Sequence, residues 1–148
     1  MANQSPLGPV SVGLFTLLNV TSLKGAYPTY AGCIGGITDN PPASPTFPFL
    51  WYELSGHDLS GFGQGLDVTQ IELRLHVFST ATTMAEAQRI MREAIRLVKF
   101  SAPTVVGYDL PVIGRPLDEI PLPFEELNGI KVRELVTIWD LFACESAA

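Results

Sequence analysis

Residues 69–100 read TQIELRLHVFSTATTMAEAQRIMREAIRLVKF, and they contain the two clearest elements of the chain. Over residues 69–78, apolar and polar side chains alternate, which is the period of a strand with one buried face. Over residues 83–100, apolar side chains recur at spacings of three and one, which gives a helix a continuous apolar stripe. Because no other predicted element is large enough to cover this stripe, the helix has to pack on the sheet that contains the strand.

The predicted strand has two chemically different faces. The face expected to point into the core carries Ile71, Leu73, Leu75 and Val77. The opposite face is expected to point to solvent or to a partner, and it carries Glu72, Arg74 and His76. The helix that follows is predicted to begin with Thr83 as N-cap and Glu86 as its capping-box partner, and it has to end before Pro103.

Weaker patterns predict three further elements. Residues 5–24 open with residues that favour a helix start, and this helix is predicted to bury Val10, Leu14, Leu17 and Leu18. Residues 47–54, FPFLWYEL, are aromatic and apolar, as in a buried strand. Residues 130–142, IKVRELVTIWDLF, predict a last strand after an Asn128-Gly129 turn, with a core face of Leu135, Thr137, Trp139 and Leu141.

The remaining stretches are expected to be mostly irregular. Residues 55–68, SGHDLSGFGQGLDV, hold four glycines and form a loop too long for a tight hairpin turn. Residues 101–129 mix prolines and acids with short β-like pieces at 104–108 and 111–113. A short strand is expected within 33–38.

Together these elements predict the α+β class. We expect a single mixed, mostly antiparallel sheet with two helices packed on one face and a long Gly-rich β–β loop. The length of 148 residues is typical of one domain, and residues 1–9 and 143–148 are expected to form flexible ends.

The composition favours an uncharged surface. Charged residues make up 16% of the chain, against about 25% in typical domains. This indicates either a surface covered by a partner or one rich in Ser, Thr, Asn and Gly. The net charge of −6 divides into −1 for residues 1–100 and −5 for residues 101–148. Nothing in this charge distribution favours binding to nucleic acid, which needs a concentrated basic surface.

The chain shows no signal peptide and no apolar run long enough to span a bilayer, so we expect a soluble product made in a cytoplasm. Its two cysteines are Cys33 and Cys144, and the sequence leaves open whether the fold brings them together.

No motif in the chain predicts catalysis or a cofactor. The Gly61–Gly65 run lacks the third glycine of a dinucleotide fingerprint, and a strand follows it instead of a helix. His57 and His76 lack an activated nucleophile or a set of metal ligands. The acid pairs Asp118-Glu119 and Glu125-Glu126 are expected in a Pro-rich loop, solvated. We therefore predict a non-enzymatic protein without metal or cofactor.

A basic stretch lies on the predicted second helix and consists of Arg89, Arg92, Arg96 and Lys99. A solvated outer face is the leading interpretation. The alternative is a subunit contact, in which Arg89, Arg92 and Arg96 meet the acidic region 117–127 of a neighbouring copy. In that region we single out Asp118 and Glu119.

The order of elements resembles one known family. The features that carry the resemblance are the Pro-rich turn at 39–42, the aromatic strand at 46–52, the long loop, the strand run at 71–79 and the helix that starts Met84-Ala85-Glu86-Ala87. In this combination the chain resembles the tail terminator, or tail completion, proteins of long-tailed bacteriophages, also described as tail-to-head joining proteins. The likeness spans about residues 10–143.

The resemblance implies a virion structural protein without catalytic activity. It implies a ring, typically hexameric, that caps the tail tube, stops its polymerisation and joins the tail to head-neck proteins. The expected partners are other copies of the chain, the tail tube protein and a head-completion protein. No membrane and no sequence-specific nucleic acid are expected, although DNA passes through such a ring.

A contact loop that orders only on the tail end suits this role, because a free subunit must not assemble early. We assign this contact to the Gly-rich loop, with the candidate residues His57, Asp58, Leu59, Phe62, Gln64 and Leu66.

Two alternatives stay open. One is a head-completion, stopper or other neck component of the virion. The other is a small-ligand-binding α+β domain, in which the aromatic residues 47–52 line a concave site.

Overall fold

The computed structural model describes residues 7–20, 23, 33–41, 43–58, 68–100, 105–113, 118–127 and 129–145. The described residues form two helices and six strands. The helices are α1 (Leu7–Leu18) and α2 (Ala85–Phe100). The strands are β1 (Ile37–Thr38), β2 (Phe49–Asp58), β3 (Val68–Ser79), β4 (Tyr108–Ile113), β5 (Asp118–Leu127) and β6 (Ile130–Glu145).

All six strands belong to one open sheet. Its order is β1-β2-β3-β6-β4, and β5 pairs with β6. Only β1 and β2 run parallel, whereas every other pair is antiparallel. β4 and β5 follow each other along the same edge of β6, so that β6 pairs with β3 on one side and with both of them on the other. The predicted α+β fold, with one mixed and mostly antiparallel sheet, is confirmed.

The core lies between the helices and one face of the sheet. The predicted apolar faces of β3 and β6 are buried, with Ile71, Leu73, Leu75, Val77, Leu135 and Leu141 at 1% exposure or less. The stripe of α2 packs on them through Ala87, Ile90, Met91, Ala94, Leu97 and Val98. The element pattern read from the sequence therefore accounts for this layer directly.

Trp139 is the largest fully buried side chain of this layer. Its Nε1–H donates to Thr137 Oγ1 at 3.0 Å, and the Thr137 hydroxyl donates to the Met91 Sδ at 3.4 Å. The indole therefore enters an apolar core without an unsatisfied donor, because a neighbouring polar side chain accepts its hydrogen.

Helix α1 packs beside α2 and over β2. It buries Val10, Leu14 and Leu18, as predicted from their spacing, while Leu17 is half-buried. A Cβ on Gly56 of β2 would lie 3.3 Å from Leu7 Cδ2, so a glycine at this position lets the helix approach the strand closely.

The start of α2 follows the predicted cap in part. Thr83 Oγ1 accepts from the Ala85 N–H at 3.3 Å, as an N-cap side chain does. The Glu86 carboxylate accepts instead from the Ser79 hydroxyl at 2.8 Å, and this bond ties the helix start to the end of β3.

The structure corrects three expectations. Residues 55–58 continue β2 as its last four pairs with β3, so the predicted loop at 55–68 is shorter than expected. The acid pairs Asp118-Glu119 and Glu125-Glu126 lie on strand β5 and not in a loop. Residues 7–9 and 143–145, expected within flexible ends, belong to α1 and β6.

Edge position explains the error at β5. Its prolines, Pro121 and Pro123, indicated a loop because proline cannot donate to a ladder. Within the described residues, β5 pairs with β6 only. Its N–H groups on the outer side make no hydrogen bond to another described strand, so a proline on that side removes none. Proline is therefore tolerated there, and it also blunts the edge against pairing with another chain.

We predict that Trp139→Ala lowers the free energy of unfolding by about 3–5 kcal/mol, because it leaves a cavity beneath α2 and removes the partner of Thr137. Urea denaturation followed by circular dichroism measures this loss. Val12→Ala is the control: Val12 is 68% exposed on α1, and its truncation should change the same quantity by less than about 0.5 kcal/mol. A similar loss in both variants would contradict the packing described.

Candidate functional site

The two helices leave the other face of the sheet open, since no helix or strand of the described chain packs on it. We call this surface the open sheet face. It carries the side chains that alternate with the core residues of β2, β3 and β6, because paired Cα partners point to the same side.

A hydrogen-bonded cluster crosses the centre of the open sheet face. His76 of β3 contacts Glu53 of β2 through Nε2 and Glu134 of β6 through Nδ1, each at 2.6 Å. The residue is only 8% exposed. A protonated imidazole donates to both carboxylates, whereas a neutral one can donate to only one of them. These side chains connect β2, β3 and β6, which are also joined by backbone hydrogen bonds.

Aromatic rings continue this cluster along β2 and β3. Trp51 stacks on His76 with ring centroids 4.4 Å apart, and Phe49 stacks on Phe78 at 4.7 Å. Phe47 contacts Phe49 at 5.5 Å. The open sheet face therefore presents partly exposed aromatic rings next to carboxylates, a combination that suits cationic groups.

The charges of the open sheet face are unequal. Its acidic residues on β2, β3 and β6 are Glu53, Glu72, Glu134 and Asp140. Its basic residue is Arg74, whose Nε donates to Glu72 at 2.6 Å on the surface. Even with a protonated His76, these four acids outnumber the two cations. The surface is therefore acidic.

The sequence did not predict the His76 cluster. It placed His76 on a polar strand face, but the two glutamates lie 23 and 58 residues away in the chain. Only the registers of two strand pairs bring them to one imidazole. The one available signal was the alternation within residues 130–142, which put Glu134 on the face opposite the predicted core residues.

The predicted basic stretch forms the outer face of α2, on the opposite side of the domain. Arg92, Arg96 and Lys99 are exposed, and Arg89 is half-buried. Arg96 Nη2 donates to Glu93 Oε1 at 2.5 Å, one turn along the helix. Since Glu86 turns inward to Ser79, the exposed face of the helix is predominantly basic.

The structure places the other predicted site residues only in part. Asp118 and Glu119 pair with Ile138 and Thr137 of β6, so the two acids alternate between the two faces of the sheet. Their side chains, like those of His57 and Asp58, lie outside the described part of the structure. The backbones of His57 and Asp58 pair with Gln70 and Thr69 of β3, at the end of β2.

The four candidate contact residues of the Gly-rich loop, Leu59, Phe62, Gln64 and Leu66, lie outside the described residues. The prediction of a tail contact there stays a prediction.

A groove of about 470 Å³ lies beside β2, where this strand continues past its pairing with β1. It is bordered by Leu7, Gly8 and Ser11 of α1 and by residues 51–54 of β2, with Asp39 at one end. Burial above all, and Asp39 to a smaller extent, raise the pKa of the Tyr52 phenol, whereas its contact with Ser11 at 3.3 Å lowers it. The groove contains two of the aromatic residues expected to line a ligand site, Trp51 and Tyr52.

Both cysteines are free thiols. Cys33 lies in the core, where burial and, to a smaller extent, the charge of Glu86 raise its pKa to about 12. Its thiol therefore stays protonated at neutral pH, which makes it a poor nucleophile and a poor metal ligand.

Within the part of the chain that the structure describes, no group of three or more His, Cys, Asp or Glu side chains is arranged to hold a metal ion. Over the same residues, neither helix has the length and apolar character needed to cross a membrane.

Comparisons with known proteins supply no family assignment. A scan against protein-family models found no match, and a search of curated proteins found no significant match.

We predict that His76→Ala lowers the free energy of unfolding by about 2–3 kcal/mol, because it removes a buried ring that contacts two carboxylates at hydrogen-bond distance. Arg74→Ala is the matched control on the same face of the same strand. It breaks an ion pair with an equally short contact of 2.6 Å, but an exposed pair is worth at most about 1 kcal/mol. Urea denaturation of both variants measures the difference, and equal losses would contradict a structural role for the cluster.

Proposed function

We propose that this chain is a virion structural protein, a ring-forming tail terminator that caps the tail tube of a long-tailed bacteriophage. In this role the ring stops tube polymerisation and joins the tail to head-neck proteins. The order of the elements supports the proposal: an aromatic strand, a strand of alternating pattern and a helix follow one another as in the family that the chain resembles.

The observation that carries the proposal is a projecting hairpin. The last pair between β3 and β6 is Ser79 with Arg133, but β5 and β6 continue together to Leu127 and Ile130. Ile130, which is 52% exposed, lies on this extension. The exposed Ile120 and Leu122 of β5 pair with Val136 and Glu134, in the part of β6 that β3 also pairs. A strand pair that extends beyond β3 and has exposed apolar residues along its length favours a contact with another protein.

The expected assembly is a homo-oligomeric ring. A subunit with different surfaces on its different sides joins copies head to tail, and such contacts close into a ring when the rotation permits. The uncharged outer side of α1, which exposes Val12 and Phe15, adds a second apolar surface on another side of the domain.

Disruption of this gene in its phage tests the proposal. We predict that lysates then contain tails of uncontrolled length, detached from filled heads, and that a plasmid copy of the gene restores normal particles. Negative-stain microscopy measures tail lengths and head attachment. Length-controlled tails would exclude termination. If those tails were also detached from heads, a head-side neck component would be the better assignment.

Two plasmid variants make this test specific to the hairpin. Ile130→Asp places a charge on the projecting arm and should fail to restore normal tails while the protein still folds. Ile34→Asp changes an isoleucine of similar exposure, 59%, outside the hairpin, and it should restore them. Restoration by both variants would remove the hairpin from the proposal.

A further inference from the structure

The domain has surfaces of opposite charge on its two sides. The helix layer presents the exposed basic face of α2, which carries Arg92, Arg96 and Lys99. The open sheet face is acidic and lies on the far side of the core. Oppositely charged surfaces on opposite sides of one subunit attract when copies are stacked in the same orientation.

The open sheet face also has the chemistry that recognises cations. Trp51 and Phe78 are partly exposed, and a guanidinium or ammonium group gains energy over such a ring. Glu53 and Glu134 lie on either side of His76, with Asp140 further along β6. A cation placed over the rings would therefore have carboxylates within reach on both sides.

The dimensions of the two surfaces agree. Arg92 and Lys99 are seven residues apart on α2, which corresponds to about 10 Å along a helix axis. Glu53 lies on β2, whereas Glu134 and Asp140 lie on β6, two strand spacings or about 10 Å away, and Glu72 lies on β3 between these strands. One helix laid across these strands can therefore place a cation near each acidic row.

We propose that the open sheet face of one copy binds the basic outer face of α2 of a second copy. The contact rests on the proposed function in that it supplies the subunit contact of the ring. It joins different surfaces of identical chains, so it is head to tail. It keeps α2 as the basic partner but assigns the acidic partner to the acids of β2, β3 and β6. Of the two β5 acids singled out from the sequence, Asp118 lies on the same side of the sheet, at its edge, and Glu119 lies on the other side.

Charge exchange between the two surfaces tests this contact. The helix variant is Arg92→Glu with Lys99→Glu, and the sheet variant is Glu72→Lys with Asp140→Lys. Both leave the His76 cluster intact, and circular dichroism checks that both fold. We expect sedimentation velocity to show a wild type that associates and whose association weakens in 1 M NaCl. Each two-residue variant should associate more weakly by on the order of tenfold or more.

Restoring association by restoring complementary charges is the decisive experiment. The four-residue variant, with both surfaces reversed, should regain association because the charges are again complementary. An equimolar mixture of the two single-surface variants should form heterodimers, since one contact of native charge remains between them. Failure of both rescues, with all variants folded, would overturn the contact, and so would a wild type that stays monomeric at millimolar concentration.

The matched control is Glu119→Lys with Glu126→Lys, because these two acids of β5 pair with Thr137 and Lys131 of β6, at positions on the helix side of the sheet. It should associate like the wild type. If it loses association, and the helix variant is restored by adding these two changes, the acidic partner is the hairpin and the proposed contact is wrong. These outcomes are independent of tail length in lysates, so the failure of the contact and the failure of the tail-terminator proposal can be told apart.

Discussion

The burial of one apolar face, shared by β3, β6 and the stripe of α2, is the constraint on which the rest of this structure depends. Because side chains alternate along a strand, burying that face fixes the register of β3 against its neighbours, and a slip of one residue would expose the whole apolar set. The same register brings His76 between Glu53 and Glu134 on the opposite face. The core thus determines the polar surface, although none of those polar residues lies in it.

A two-layer domain with helices on one side only has two unlike surfaces by construction. In this protein the two surfaces differ in charge, since the helix face is basic and the sheet face is acidic and aromatic. They also differ in shape, because a hairpin projects beyond β3. Unlike surfaces are what head-to-tail assembly requires, since each contact then uses a different surface of each of two identical chains. Prolines along the outer edge of β5 act in the same direction, because they disfavour uncontrolled edge-to-edge pairing while leaving the faces available.

Local periodicity was sufficient to predict the elements that bury one continuous face. It was insufficient to predict the other elements and the polar cluster. β3 and α2 were predicted almost to the residue, because the period of their apolar residues is a local property. β5 was missed, since its prolines are compatible with a strand only at an edge, and edge position is a property of the whole sheet. The His76 cluster was missed because it depends on two registers between distant segments. Whether the basic stretch of α2 faces solvent or another copy is likewise a property of an assembly, which one chain does not contain.

The most direct test of the central claim is tube growth in the presence of the purified protein. Tail tube protein polymerised alone should give tubes of unregulated length, and electron microscopy measures their distribution. The account predicts that adding this protein arrests growth at substoichiometric amounts, with rings visible at one end of each tube. Tubes that keep growing to the same length distribution, with the protein absent from their ends, would contradict it.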